Sequence, residues 1–143
     1  MADDKYFECV KEALFKDGWT ITHDNRHPYT ANVPGLLIIG DLGAERILVE
    51  FESEGKERIL VEIKSFLSKS FNEDFYPALG QILSYTYVLG KKDPGRKVWL
   101  AVPEKVYQKH FTTIAIMEIT TLHKISVFTY DTTINRIIRW IPK

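Results

Sequence analysis

"LVEIKSF", Leu60–Phe66, is the stretch on which the reading of the fold turns. Leu60, Val61 and Ile63 give it the apolar, β-branched weight of a strand. Glu62 and Lys64 stand two residues apart, so their side chains leave the same face. A strand that buries one face does not ordinarily spend two successive same-face positions on a carboxylate and an ammonium. As an ion pair on a solvated face, the two are worth at most about 1 kcal/mol. The surrounding sequence decides whether they do more.

Upstream, "LLIIGDLGAERILVEFE", the turn-like "SEGK" around Gly55 and "ERILVEIKSF" predict two strands joined as a hairpin. Asp41 lies near the start of the first arm, twenty-one residues before Glu62 (62 − 41 = 21). Facing antiparallel strands bring such residues to one end of a sheet face. Two carboxylates about 4 Å apart repel by about 4 kcal/mol at an effective dielectric near 20, so the arrangement calls for positive charge. Lys64 supplies one charge and a divalent cation supplies two. Mg²⁺ takes carboxylate and carbonyl oxygens and keeps several waters. A water on that ion, beside a lysine, is suited to attack a phosphodiester. Glu45, close to Asp41 in sequence, competes for a ligand role; the other charges of "ILVEFESEGKER" read as a solvated hairpin.

Around this hairpin the chain alternates helices and strands. Asp3 or Asp4 caps a first helix with Tyr6, Phe7, Val10 and Leu14 at helical spacing, and Gly18 ends it. "WTIT" reads as a short strand and "HDNRHPYTANVPG" as an irregular connection. "NEDFYPALGQILSYTYVLG" is a second helix with Asn72 as cap and Phe75, Leu79, Ile82, Thr86 and Leu89 on its apolar face. "VWLAVP" is a strand buried on both faces, a weaker helix spans roughly Glu104 to Thr120, and "ISVFTYD" and "INRIIRWIP" close the fold as strands. The expectation is an α/β (α+β) domain over residues 1–143, a central mixed sheet flanked by helices. Trp99 and Trp140 belong to its core, whereas Tyr130 and the apolar "RIIRWIP" exceed what so small a core holds, which points to a homodimer or a protein partner.

Composition narrows the function classes. Nineteen basic and nineteen acidic residues give zero formal net charge, so a protein that coats nucleic acid by bulk charge is not indicated, and phosphate contact has to use a local patch. Lys91, Lys92, Arg96 and Lys97 cluster at a turn and read as a solvated turn, with phosphate contact as the alternative. The lone Cys9 excludes an internal disulfide and a cysteine zinc site and fits a reducing compartment. The four histidines lack ligand spacing, and no phosphate-binding glycine loop or nucleophile elbow is present. "MADDKYFE" has no apolar signal region and no apolar run reaches membrane-spanning length, so the expected location is cytoplasmic, with no membrane.

The order Asp41, Glu62, Lys64 resembles the PD-(D/E)xK nuclease superfamily, with its restriction-endonuclease-like fold. Gly40 stands where the proline of that motif's name falls. Gln81 and Tyr85, in "QILSY", match the Q-x-x-x-Y that RecB-like members carry on the next helix, and their spacing puts both on one helical face. Such members also carry a glutamate on the first helix, where Glu8 fits best and Glu12 second. A resemblance over nearly the whole chain rests on "KDGWTITHD", "DLGAER", "VEIKSF", "ALGQ", "AVP" and "RWIPK", which are similar to the XisH family, the fdxN element excision controlling factors. It implies a role in programmed DNA excision and a small XisI-like companion. Together the resemblances imply Mg²⁺ (or Mn²⁺) held by Asp41, Glu62 and the Ile63 carbonyl, Lys64 orienting the attacking water, Gln81 positioning the site, and DNA as substrate. The rival is a non-catalytic module that docks an XisI-like protein or a recombinase.

Overall fold

The structure, a computed structural model, describes residues 5–50 and 53–142. In chain order its elements are α1 (Phe7–Lys16), β1 (Thr20–His23), β2 (Tyr29–Val33), β3 (Leu36–Gly40), β4 (Leu42–Glu50), β5 (Ser53–Ile63), α2 (Phe71–Lys92), β6 (Arg96–Pro103), α3 (Glu104–Val106), a π-helical turn (Tyr107–Phe111), α4 (Ile114–Leu122), β7 (Val127–Asp131) and β8 (Arg136–Ile141). The six-stranded sheet has the order β1-β4-β5-β6-β7-β8. Its middle strands β5, β6 and β7 run parallel, while β1, β4 and β8 pair antiparallel. The expected mixed α/β sheet flanked by helices is the observed architecture. Among the described residues no helix is long and apolar enough to cross a membrane.

The period of two in β5 divides its side chains between two core layers. Ile59, Val61 and Ile63 pack in one layer with Phe7, Val10 and Leu14 of α1. Leu60 packs in the other with Phe75, Ile82, Tyr85 and Val88 of α2. Burying such a side chain contributes about 1.5–3 kcal/mol, so a one-residue slip of β5 would turn this apolar set onto the wrong faces. Glu62 shares the face of Leu60. It therefore occupies a core position beneath α2 and is 3% exposed.

Several elements depart from the sequence reading. The connection "HDNRHPYTANVPG" holds a strand: β2 pairs with β3 as a separate two-stranded sheet. Pro34 and Gly35 join them, with Gly35 at φ +89°, a conformation open to glycine. The long first arm is thus two strands, broken at Asp41, where the chain passes from one sheet to the other. "SEGK" is part of β5 rather than a turn, and the residues joining β4 to β5 lie outside the described ones, as does the expected cap at Asp3 or Asp4. Ser70, not Asn72, precedes the first residue of α2, and Thr86 is exposed while Tyr85 turns inward. The helix expected over Glu104 to Thr120 is interrupted at Thr112 and Thr113, whose hydroxyls donate to the carbonyls of Gln108 and His110. That local bonding competes with helical continuation. Tyr130, expected to exceed the core, is fully buried.

Candidate functional site

Asp41 is the residue just before β4, and the register of that strand with β5 (Leu42 opposite Val61) sets it across from Glu62. Its Oδ2 accepts the Ile63 N–H at 2.8 Å, a bond that continues the ladder by side chain where the backbone pairing ends. Gly40 permits the turn into this position: a Cβ there would collide with the fully buried Leu60 side chain. N–H and C=O of one strand residue leave on the same edge, so the Ile63 carbonyl also leaves β5 on the Asp41 side.

Glu62 lies between α2 and the end of the sheet. Tyr85 donates its hydroxyl to Glu62 Oε1 at 2.8 Å and also reaches the Ile39 carbonyl at 3.0 Å. Lys64 Nζ stands 3.8 Å from Glu62 Oε2, its side chain only 20% exposed. Burial first, and then the Asp41 carboxylate, push the Glu62 carboxyl up to about 8, against the Tyr85 hydrogen bond and the Lys64 charge. A hydrogen bond between the Glu62 and Asp41 carboxyls adds to the rise, because it needs a proton between them. At neutral pH the metal-free pair therefore holds one proton. The Tyr85 phenol is pushed up as well, by burial and by the facing Glu62 charge.

Gln81, one helical turn before Tyr85, hydrogen-bonds the tyrosine side chain, and its Oε1 is buried without a partner among the described residues. A buried carbonyl oxygen without a donor is costly. Here it adds a hard acceptor beside the two carboxylates.

The structure thus gathers Asp41, Glu62, Lys64, Gln81, Tyr85 and the Ile63 backbone at one end of β5. Glu45 is not among them. It lies four residues along β4, roughly 13 Å at strand rise, and pairs with Lys56 at 3.5 Å. Glu8 is exposed in the first turn of α1, which packs on the opposite face of the sheet from α2. Glu12 is engaged with Lys16 and with Asn135. Among the described residues no group of three or more histidine, cysteine or acidic side chains forms a metal cage. Two carboxylates and neighbouring carbonyl oxygens suit an ion that keeps much of its own water, the behaviour of Mg²⁺, and not a fully protein-ligated zinc. Of the basic residues read as a solvated turn, Arg96 is buried, bonded to Asp93 and to the Ile59 carbonyl, and holds β6 against β5. Sequence reasoning missed this role because the surrounding lysines mask it.

No curated protein matches the chain. A family model described as XisH protein matches residues 1–138. The structure is similar to that of an XisH family protein from Nostoc punctiforme PCC 73102, at 35% identity and a TM-score of 0.81, over 96% of this chain and 99% of that one. It is also similar to a fdxN element excision controlling factor protein from Anabaena variabilis, at 36% identity and a TM-score of 0.80, over 95% and 97% of the two chains. With the family model spanning nearly its whole length and both solved relatives matching end to end, the chain belongs to the XisH family.

Proposed function

We propose that this chain serves DNA element excision through a PD-(D/E)xK-type phosphodiester site. The observation that carries the reading is the β4–β5 register that sets Asp41 opposite the buried Glu62, with Lys64 Nζ 3.8 Å from the Glu62 carboxyl. In this reading Asp41, Glu62 and the Ile63 carbonyl hold a hard divalent cation, Mg²⁺ or Mn²⁺, in place of the shared proton. When bound, that ion supplies a more acidic water and positive charge beside a phosphate. Lys64 orients the attacking water and offsets charge developing on the non-bridging oxygens. Its low exposure keeps it poorly solvated, so its charge acts strongly. Tyr85 fixes the Glu62 carboxyl by its hydroxyl, and Gln81 fixes Tyr85. The excision role extends to this chain what the name of the Anabaena variabilis relative says of that protein.

The test is cleavage of labelled linear and branched DNA with millimolar Mg²⁺ or Mn²⁺, for the wild type, Lys64→Met and Asp41→Asn. The reading expects metal-dependent nicking lost in both variants. Equal, metal-independent breakdown in all three, or none in any, overturns it.

A second reading, a docking module without hydrolysis, draws on α4. None of its residues is buried, and Ile114, Met117 and Leu122 are 77%, 51% and 75% exposed. Such an apolar helix face suits an XisI-like protein or a second copy of the chain. Sedimentation of the chain alone and with an XisI-like protein, before and after Leu122→Lys, distinguishes the two.

A further inference from the structure

Beyond the carboxylates the chain turns into a region of different character. Phe66, two residues past Lys64, sits at φ 55°, where a bulky residue is rarely found. Its ring is held there, stacked on Phe71 at 5.2 Å and edge-on to Phe111. The His110 ring lies on Phe71 in turn, centroids 4.3 Å apart and planes within 13°. Phe66, Phe71 and His110 thus make one ladder of near-parallel rings, each only partly buried. Burial and then the adjacent Lys109 lower the imidazole's proton affinity, which favours the neutral ring. The helix that carries it widens to π geometry over Tyr107–Phe111, a feature that recurs at functional sites.

This ladder walls a cavity of about 330 Å³ whose rim holds Lys69, Lys105 and Lys109 and no carboxylate. All three lysines are exposed, and none makes an ion pair among the described residues. What is particular to this cavity is that its three ammoniums stand around an aromatic wall. The ligand that fits both halves carries spaced anions and flat rings together. Phosphates satisfy the lysines, and unpaired bases satisfy the rings. In a duplex the base faces are already stacked and unavailable. Two residues of extended chain reach at most about 7 Å, so the ladder begins close beside Lys64.

We propose that the cavity walled by Phe66, Phe71 and His110 binds unpaired nucleotides of a single strand next to the carboxylate site, with Lys69, Lys105 and Lys109 on its phosphates. The inference rests on the phosphodiester reading for what the strand is delivered to, but the binding itself needs neither cation nor cleavage. The experiment is fluorescence anisotropy of a labelled twelve-nucleotide oligothymidylate, and of a duplex of the same length, with the wild-type chain in EDTA over a salt series. The single strand should bind more tightly than the duplex. Lys105→Ala with Lys109→Ala should flatten the slope of log affinity against log salt by about 1.4, near 0.7 per lost phosphate contact on a single strand. His110→Ala should weaken binding by about tenfold with the slope unchanged, and His110→Phe should restore it by restoring the ring. Equal affinity for the duplex, unchanged binding in these variants, or displacement of the strand by an acidic peptide at equal charge overturns the inference. Strand binding with these dependences in a chain that never cleaves leaves the inference standing and removes the hydrolysis reading instead.

Discussion

Replacing Glu62 by Gln should stabilise the metal-free protein, and increasingly so as pH rises. The carboxyl is raised from 4.5 to about 8 in the folded chain. Between those values the folded protein holds a proton that the unfolded chain has released, so stability falls with pH, by about 1.4 kcal/mol per pH unit. Below 4.5 both states are protonated and above about 8 neither is, so the loss is confined to that window. Across it the interval of 8 − 4.5 amounts to about 5 kcal/mol. Gln has the shape of the protonated acid, accepts from Tyr85 as Glu62 does, and cannot ionise. The two proteins should therefore be nearly equal at pH 5 and separate progressively to pH 8 or 9, with Glu62→Gln the more stable. Urea unfolding in EDTA at pH 5, 7 and 9 measures the difference, and groups common to both proteins cancel. Parallel stability curves, or a variant less stable than the wild type at pH 9, would refute the buried, Asp41-facing carboxyl.

Lys64→Met removes a charge that favours ionised Glu62, so the metal-free variant should match the wild type below about pH 8, where both hold the Glu62 proton, and become the less stable of the two as pH rises above it, read by thermal melts from pH 6 to 10. Tyr85→Phe leaves Glu62 Oε1 and the Ile39 carbonyl without their hydroxyl donor; unfolding at pH 7 should show a loss of about 1–3 kcal/mol. Gly40→Ala forces a Cβ against Leu60. Overpacking there should cost about 1–3 kcal/mol and displace Asp41, so urea midpoints should fall and metal response weaken together.

The site residues were legible because β5 obeys a period of two. Glu62 and Lys64 share a face by geometry alone, and the hairpin expectation brought Asp41 opposite, as the register from Leu42 and Val61 does. Gln81 and Tyr85 were legible through the resemblance to the Q-x-x-x-Y motif, with helical spacing placing the two on one face. What the sequence hid was where strands break. Leu36–Gly40 and Leu42–Glu50 read as one run because both are apolar, yet the passage between sheets at Asp41 is what turns its carboxylate to the Ile63 N–H. The strand Tyr29–Val33 was hidden by its flanking prolines, although its alternation and the Pro34-Gly35 turn were there to be read. Glu45 was judged by its distance in sequence from Asp41, whereas an extended strand carries it away. Tyr130 was counted as surplus because aromatic content does not reveal that α1 sets Tyr6 edge-on against it, 6.1 Å between centroids.

A phosphodiester site at this end of β5 requires that Asp41 and Glu62 share a cation. Thermal melts at pH 7.5 with Mn²⁺ or Mg²⁺ from zero to tens of millimolar, for the wild type and Asp41→Asn, measure it. A ligand of the folded state alone stabilises by mass action, about 2.7 kcal/mol at a hundred times its dissociation constant. The wild-type melting temperature should climb with metal and that of Asp41→Asn should stay flat. A wild type indifferent to both ions, or an Asp41→Asn chain that responds as strongly, would contradict the shared-cation site.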